Sequence, residues 1–297
     1  MTTERPTPLR VGLIGAGIQR SLSPLLHEAE AREQGFSLRY ELFDVDVLRQ
    51  KDPARLIAAA RDLGYAGLNI THPLKQRVVP LMDALSDQAA AIGAVNTVVF
   101  EPDGRTVGHN TDVSGFAGMI SRGVGDVRGH RVLQLGAGGA GSAVAHALLA
   151  MGVSRLEIRD LDAARAERLA ASLVGREVEV VGAGLDGAAQ ALAGADGLIN
   201  ATFVGMVGHP GTPVPLDAVR ASHWVADIVY FPARTELLQG AEERGARIVG
   251  GADMTAIQAA DAFRLITGRE PDTERMLAHI ARLVRDRLAD ERAGTAV

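Results

Sequence analysis

Residues 131–160 read RVLQLGAGGAGSAVAHALLAMGVSRLEIRD, and this stretch decides the fold that the rest of the chain must join. An apolar run at Val132–Leu135 predicts a buried strand, and the alanine-rich stretch Gly139–Met151 predicts a helix. A further strand is predicted at Arg155–Asp160. Between the first strand and the helix, three glycines have the spacing G-x-G-x-x-G: Gly136, Gly138 and Gly141.

This glycine spacing between a strand and a helix indicates dinucleotide binding, because glycines permit a tight turn and let backbone N–H groups approach a pyrophosphate. The helix N-terminus adds unpaired donors and the positive end of its dipole. Asp160 ends the next strand, where a carboxylate can hold the ribose hydroxyls of NAD and repel the 2′-phosphate of NADP. Arg159 and Arg165 oppose this preference, since either could bind a phosphate. A glycine-rich turn without a ligand is the alternative.

A second glycine pair, Gly15 and Gly17, also follows an apolar run. The third position of the spacing is Arg20, so the small residue that allows close helix–strand packing is missing. We interpret this pair as a structural turn rather than a second nucleotide site.

Outward from residues 131–160, short apolar runs alternate with helical patterns. Upstream strands are predicted at Arg10–Ile14, Arg39–Phe43, Gly67–Ile70 and Ala94–Phe100, and a helix is predicted to begin after Pro73. This alternation is typical of an α/β fold with parallel or mostly parallel sheets. We predict two domains: a substrate-binding and catalytic domain at 1–112 and a Rossmann NAD-binding domain at 113–252, with C-terminal helices at 253–297 returning to the first.

Bulk composition narrows the class of protein. The chain has 297 residues, 47% hydrophobic and 23% charged, with a net charge of −5 and no cysteine. The absence of basic runs argues against nucleic-acid and anionic-membrane partners, and no apolar run has the length of a membrane span. Without cysteine there are no disulfides or thiol nucleophiles, which fits a reducing cytoplasm. We expect a cytoplasmic enzyme with a small-molecule substrate and no metal site; a homodimer is possible.

Polar side chains cluster at predicted strand ends in the first third of the chain. They form four groups: Ser21-Leu22-Ser23-Pro24, Asn69–Lys75, Gly93–Thr97 and His109–Asp112. Ligands of open α/β sheets collect at the carboxyl ends of strands. The hydroxyls, amides, lysine and carboxylate of these groups suit a small polyhydroxylated acid.

These motifs resemble the shikimate dehydrogenase family over nearly the whole chain, and most closely its NAD-preferring quinate/shikimate dehydrogenase branch. Beyond the four groups, the shared features are the glycine turn, Asn-Ala-Thr-x-x-Gly-Met at Asn200–Met206, the segment Asp227–Leu238, and Gln258 with Phe263. NADP-using members have Asn-Arg-Thr where this chain has Asp160, Leu161 and Asp162, so the arginine that clamps the 2′-phosphate is absent. The family's usual proline is replaced by Phe203.

The resemblance implies a role for each site residue. Lys75 and Asp112 form the catalytic pair, and Ser21, Ser23 and Tyr230 hold the substrate carboxylate. Thr71, Asn96 and Gln258 bind ring hydroxyls. Gly136, Ala137, Gly138, Gly139 and Ala140 hold the pyrophosphate, Met206 and Gly251 line the nicotinamide, and Asp160 and Arg165 complete the cofactor site.

The predicted function is NAD-dependent oxidation of a ring hydroxyl of shikimate or quinate, giving 3-dehydroshikimate or 3-dehydroquinate. Three alternatives stay open: an NADP-dependent biosynthetic shikimate dehydrogenase, a dehydrogenase for an aminated analogue, and a sensor that binds a sugar acid or reports redox state without turnover. The pairing of Lys75 with Asp112 disfavours the sensor.

Overall fold

A computed structural model describes residues 7–173 and 178–292 of the chain. The chain divides into two compact units, Met1–Thr111 with Gln258–Ile280, and Asp112–Ile257 with Ala281–Val297. Residues 1–6 and 293–297 of the predicted outer ranges lie outside the described part. The functional assignment of the units, and the return of all of 253–297 to the first domain, stay predictions.

The first unit is built on a mixed sheet whose strands and helices alternate. Its strands are β1 Leu9–Gly15, β2 Leu38–Asp44, β3 Gly67–Ile70, β4 Ala84–Leu85, β5 Thr97–Phe100 and β6 Thr106–His109, and its helices are α1 Ser23–Glu33, α2 Pro53–Asp62 and α3 Asp87–Ile92. Among the described residues the strand order is β2-β1-β3-β5-β6-β4, and every strand but β5 runs in the same direction. The predicted mostly parallel sheet is therefore confirmed.

The core of the first unit covers both faces of this sheet, as expected where helices flank parallel strands. One face buries Ile14, Leu68 and Ile70. The other buries Val11 and Leu13 against a later helix that carries Phe263. Alternation along β1 sends neighbouring side chains to opposite faces.

The prediction that a helix begins after Pro73 was wrong. The chain makes turns there and only a short 3₁₀ helix at Val79–Leu81. Pro80 explains the difference, because proline lacks an N–H and disfavours the α conformation of the residue before it. The predicted strand Ala94–Phe100 begins only at Thr97, and a turn at 101–105 joins it to the unpredicted strand β6 as a hairpin.

The second unit has a fully parallel sheet among its described residues. Its strands are β7 Arg131–Leu135, β8 Arg155–Asp160, β9 Glu179–Gly184, β10 Gly197–Asn200, β11 Trp224–Asp227 and β12 Arg247–Gly250. Its helices are α4 Asp112–Gly123, α5 Gly139–Ala150, α6 Ala163–Ser172, α7 Ala188–Ala193 and α8 Glu236–Glu243; α9 Ala252–Thr267 and α10 Thr273–Arg292 each have residues in both units.

The strand order of this second sheet is β12-β11-β10-β7-β8-β9. The order reverses between β7 and β10, and in doubly wound sheets such a switch point opens the crevice where dinucleotides bind. The predicted Rossmann topology is confirmed. Among the described helices, none has the length and apolar character needed to span a membrane.

Candidate active site

The residues predicted to hold the substrate carboxylate begin at the N-terminus of α1. Ser21 Oγ donates a hydrogen bond to Ser23 Oγ at 3.2 Å, and the Ser23 N–H donates back to Ser21 Oγ at 3.2 Å. Both side chains are half-buried. Two adjacent hydroxyls beside the positive end of an 11-residue helix form an arrangement suited to a carboxylate.

Thr71 follows β3 directly and is tied to the end of β1. Its N–H donates to the Ile14 carbonyl at 2.9 Å, and the Ala16 N–H donates to the His72 carbonyl at 2.8 Å. These bonds bring the carboxyl ends of β1 and β3 together, so Thr71 lies at the sheet edge where the sequence predicts the substrate site.

At the turn of Gly15 and Gly17, which we interpreted as structural, backbone N–H groups donate to a carboxylate of the chain itself. Asp44, buried at the end of β2, accepts from the N–H groups of Gly17 at 3.1 Å and Ile18 at 3.0 Å. Those donors are the ones that a bound phosphate would need. The geometry supports the structural interpretation of this turn.

Asn96 and Gln258, both predicted to bind ring hydroxyls, lie together with Thr111. Asn96 Nδ2 donates to Thr111 Oγ1 at 2.9 Å and faces Gln258 Oε1 at 3.5 Å. Asn96 Oδ1 accepts from the Thr111 N–H at 2.8 Å. Thr111 was quoted in a motif but given no role, because its part depends on a partner 15 residues away in sequence.

Each residue of the predicted catalytic pair is connected through its backbone to the segment that carries Asn96 or Thr111. Lys75 is half-buried, and its carbonyl accepts from the Val95 N–H at 2.8 Å, one residue before Asn96. Asp112 is buried and is the first residue of α4, directly after Thr111. Lys75 belongs to the first compact unit and Asp112 to the second, so their convergence stays a prediction.

The glycine turn of the second unit has the geometry that its spacing predicts. Gly136 has φ +101°, and a Cβ there would lie 2.5 Å from the Ala201 carbonyl oxygen. A Cβ on Gly141 would lie 2.2 Å from the Gly136 carbonyl oxygen, which is the close helix–strand approach of the third glycine. Gly138, just before α5, would meet no atom within 4 Å. Gly139 and Ala140 begin that helix, so the turn leaves room for a pyrophosphate.

Asp160 lies beside this turn. It is 9% exposed, and its Oδ2 accepts from the Ala137 N–H at 2.8 Å while its Oδ1 accepts from the Asp162 N–H at 3.0 Å. Leu161 is 89% exposed. An ionised carboxylate has about four acceptor positions, so two donors leave capacity for ribose hydroxyls.

The two arginines that opposed an NAD preference differ in their surroundings. Arg159 binds Glu157 at 2.6 Å and donates to the Gly184 carbonyl at 2.8 Å and to the Asp186 carbonyl. Its guanidinium is thereby directed to the β9 side of the sheet. Arg165 is exposed on the first turn of α6, where the side chain of Asp162 caps the helix.

The loop after β10 carries Met206, one of the two residues predicted to line the nicotinamide. Asn200 Nδ2 donates to the Val204 carbonyl at 2.9 Å and to Asp227 Oδ1 at 3.0 Å. Phe203 is 44% exposed and Met206 is 37% exposed. The Phe203 ring therefore faces outward rather than filling the core in place of the family's proline.

Asp227 is fully buried at the end of β11, and burial raises its pKa to about 6, against the opposing effect of hydrogen bonds from Thr235, Val229 and Asn200.

Tyr230 follows β11 and is half-buried, and Gly251 is buried between β12 and α9. Among the described residues, no group of three His, Cys, Asp or Glu side chains could hold a metal ion.

Comparisons with known proteins identify the family. A model of the shikimate dehydrogenase substrate binding domain matches residues 13–98. A protein named shikimate dehydrogenase (NADP(+)) from Streptomyces avermitilis is 52% identical over 277 residues, covering 92% of this chain and 95% of that protein. One named quinate/shikimate dehydrogenase (NAD(+)) from Corynebacterium efficiens is 49% identical over 273 residues, covering 90% and 96%.

A solved structure, quinate dehydrogenase from Corynebacterium glutamicum in complex with NAD, superposes with a TM-score of 0.85. It is 47% identical to this chain and covers 91% of it and 98% of the solved chain. High identity over nearly full length, together with the family model and the shared fold, excludes a likeness confined to one domain. The chain belongs to the shikimate dehydrogenase family.

Proposed function

We propose that this protein is an NAD-dependent dehydrogenase that oxidises a ring hydroxyl of shikimate or quinate to 3-dehydroshikimate or 3-dehydroquinate. Dehydrogenase activity on this class of acid, with a nicotinamide dinucleotide, is supported by relatives over nine-tenths of the chain. The preference for NAD is our further step. The observation that carries it is the buried Asp160 carboxylate, hydrogen-bonded to the glycine turn.

The electrostatics at Asp160 favour a cofactor without a 2′-phosphate. The donors bonded to its carboxylate are neutral backbone N–H groups, and Arg159 is bound to Glu157. Two unit charges about 4 Å apart repel by about 4 kcal/mol at an effective dielectric constant of about 20. Since about 1.4 kcal/mol is a factor of ten, strong screening still leaves at least about ten-fold discrimination against NADP.

The substrate roles follow the chemistry of each group. Ser21 and Ser23 offer hydroxyl donors to a carboxylate at the N-terminus of α1, and Tyr230 is proposed to add a third. Thr71, Asn96 and Gln258 bind ring hydroxyls. The hydrogen bonds around Asn96 support this role, because they hold an amide donor and an amide acceptor at one place.

Lys75 and Asp112 are proposed to handle the proton of the reacting hydroxyl. When bound, the nicotinamide accepts the hydride from the substrate carbon. The hydroxyl proton must then leave, and Lys75 Nζ is the group that we expect to receive it. Asp112 orients both the hydroxyl and the Lys75 side chain, and in the reverse direction Lys75 returns the proton to the carbonyl oxygen.

A specific observation favours a second candidate, the NADP-dependent biosynthetic enzyme. The Streptomyces avermitilis relative is named for NADP, and Arg165 is exposed at the start of α6 within the predicted cofactor site. The test is the initial rate of cofactor reduction at 340 nm for shikimate, quinate and an aminated analogue, each with NAD and with NADP. We expect NAD to give a kcat/KM at least about ten-fold higher.

Two variants assign that preference to a residue. Asp160→Asn is expected to reduce the NAD-to-NADP ratio of kcat/KM at least about five-fold. Asp162→Asn, the control, should change it less, because Asp162 is half exposed and lies 3.8 Å from Arg168. A wild type that uses NADP as well as it uses NAD would contradict the proposal. If none of the three acids is turned over, the result would favour the alternative of a sensor that binds without turnover. A cytoplasmic location and a homodimer stay parts of the proposal.

A further inference from the structure

A chain of buried polar side chains crosses the sheet of the first unit. The Tyr40 hydroxyl donates to Asn69 Oδ1 at 2.8 Å, Asn69 Nδ2 donates to Thr97 Oγ1 at 3.1 Å, and Thr97 Oγ1 donates to Asn96 Oδ1 at 3.1 Å. All four side chains are buried. We name this series, Tyr40, Asn69, Thr97 and Asn96, the Tyr40 relay.

Strand register explains why the relay forms. Tyr40 lies opposite Val11 on β1, and Asn69 lies opposite Leu13, two residues further along the same strand. Positions two residues apart face the same side of a sheet, so Tyr40 and Asn69 point to one face from strands on either side of β1. Thr97 is the direct antiparallel partner of Asn69.

The relay has a direction. Because Asn69 Oδ1 accepts from Tyr40, the Asn69 amide must present its Nδ2 to Thr97. Thr97 has a single hydroxyl proton, and since its oxygen already accepts from Asn69, that proton goes to Asn96 Oδ1. The phenol at one end is thus joined, through Asn69 and Thr97, to the amide oxygen at the other end, which also accepts from the Thr111 N–H at 2.8 Å.

The relay ends at the side-chain amide of Asn96 and affects how that amide is oriented. With its Oδ1 held by Thr97 and by the Thr111 N–H, its Nδ2 is turned to Thr111 Oγ1 and Gln258 Oε1. We infer that Tyr40 is a positioning residue, whose hydroxyl acts through Asn69 and Thr97, together with the Thr111 N–H, to hold the Asn96 amide in place and thereby raises the affinity for the acid substrate. The inference rests on the proposed role of Asn96 in binding a ring hydroxyl.

Loss of the Tyr40 hydroxyl would propagate along the relay. Asn69 Oδ1 would lose the donor that Tyr40 supplies in a buried place, where an unmet acceptor is costly. Turning the Asn69 amide would restore a donor from Thr97, but it would withdraw that proton from Asn96 Oδ1 and would break the bond from Asn69 Nδ2 to the Asn96 carbonyl at 3.3 Å. The Thr111 N–H still restrains Asn96, so substrate affinity should fall rather than vanish.

The test is Tyr40→Phe, which removes one oxygen atom. Calorimetric titration of the full-length protein with shikimate should give a Kd raised at least about five-fold, with an unchanged Kd for NAD. Thr97→Val cuts the same relay with a side chain of similar shape and should weaken shikimate similarly. Thr97→Val also tests the relay if Tyr40→Phe does not fold.

The double variant separates a relay from general destabilisation. Once Thr97→Val has cut the relay, adding Tyr40→Phe should change the shikimate Kd less than about two-fold, whereas independent effects would multiply. Tyr65→Phe is the matched control in the same unit, because the Tyr65 hydroxyl bonds to Glu41 and Arg10 instead. It should leave the shikimate Kd unchanged.

Three results would overturn the inference: an unchanged Kd in Tyr40→Phe, an equal loss in Tyr65→Phe, or multiplicative effects in the double variant. The proposed function is judged separately, by wild-type turnover. A wild type that binds shikimate but oxidises neither shikimate nor quinate would contradict the proposed function, while the measured affinities would still test the relay. A wild type that binds neither shikimate nor quinate would overturn both.

Discussion

At the scale of single residues, the lysine at position 75 is unusual in this chain. Lys51 and Lys75 are the only lysines in the sequence, and its other side-chain cations are arginines or histidines. Arginine stays protonated in proteins, whereas lysine can exchange a proton, so a lysine kept among so many arginines suits acid–base chemistry.

Lys75→Ala is therefore expected to lower kcat at least about 100-fold, the lower range for losing a general acid–base group, with a much smaller change in the Kd for shikimate. Steady-state rates and calorimetry on the same preparation measure the two effects. Lys51→Ala, at an exposed position, is the matched control and should keep wild-type kcat. Turnover of Lys75→Ala close to wild type would contradict the assignment.

Two glycines of the nucleotide turn make a second prediction at this scale. Gly136→Ala should destabilise the fold by about 2 kcal/mol or more, because the residue has φ +101° and its new Cβ would meet the Ala201 carbonyl at 2.5 Å. Gly138→Ala meets no protein atom within 4 Å and should fold normally, but its methyl would occupy space needed by the pyrophosphate.

Urea unfolding and NAD titration distinguish these two glycines. Gly136→Ala should show a lowered free energy of unfolding, and Gly138→Ala a near wild-type one with a raised Kd for NAD. Equal stability of both variants would mean that the backbone at Gly136 relaxes without strain.

At the scale of secondary-structure elements, α10 is fastened to α1 by one buried carboxylate. Glu30 on α1 accepts from Arg275 Nη2 at 2.7 Å and Nε at 2.9 Å, and from the Asp272 N–H at 3.0 Å. Burial acts to raise the pKa of Glu30, but the hydrogen bonds from Arg275, Asp272 and Gln34 outweigh it and lower that pKa. The junction therefore depends on an ionised Glu30.

The two partners should differ when removed. The Glu30 side chain is 1% exposed and that of Arg275 is 38% exposed. Arg275→Ala leaves a buried charge with the neutral donors of Asp272 and Gln34, and should lower the free energy of unfolding by about 2–3 kcal/mol, below the full value for a buried pair because the Arg275 side chain is itself partly exposed. Glu30→Gln leaves Arg275 able to reach water and should lower it by about 1 kcal/mol.

Urea unfolding at pH 7 and at acid pH checks this asymmetry. A carboxylate with a lowered pKa contributes stability above its unfolded pKa, and that contribution is lost as the pH falls through its folded pKa. The difference between wild type and Glu30→Gln should therefore shrink in acid. A larger loss for Glu30→Gln than for Arg275→Ala at pH 7 would contradict the account.

At the scale of the whole molecule, the buried Asp227 makes stability depend on pH in the opposite direction. Its folded pKa is raised from 3.8 to about 6, so the folded protein keeps a proton that the unfolded chain releases near pH 4. Stability is thus greatest below pH 4 for this group and falls as the pH rises to about 6. The shift of about two units corresponds to about 3 kcal/mol.

Asp227→Asn should remove this dependence. Relative to wild type, the free energy of unfolding of the variant should increase between pH 4.5 and pH 7.5, with most of the change complete near pH 6. Urea titrations at several pH values measure it. A difference between the two proteins that stays constant with pH would show that Asp227 is ionised throughout.

Contacts between residues far apart in the sequence could not be predicted from the sequence. Asn96 meets Gln258 across 162 residues of sequence, and Arg159 meets Gly184 and Asp186 through the pairing of β8 with β9. Local periodicity carries no information about which distant residues will pair. The hairpin of β5 and β6 was missed for a different reason: its second strand, Thr106–His109, has only one aliphatic side chain, Val107, and therefore no apolar run.

What the sequence alone determined is local: the strand, glycine turn and helix at 131–151, the acidic residue that ends β8, and the motifs that carry the family resemblance. These follow from side-chain size and backbone freedom within a few residues. Only the tertiary structure decided that Arg159 turns to Glu157, that Asp44 closes the first glycine pair, and that Tyr40 reaches Asn96 through two other side chains. Those contacts exist because sheet register brings distant segments to one face, and register is set by the packed core as a whole.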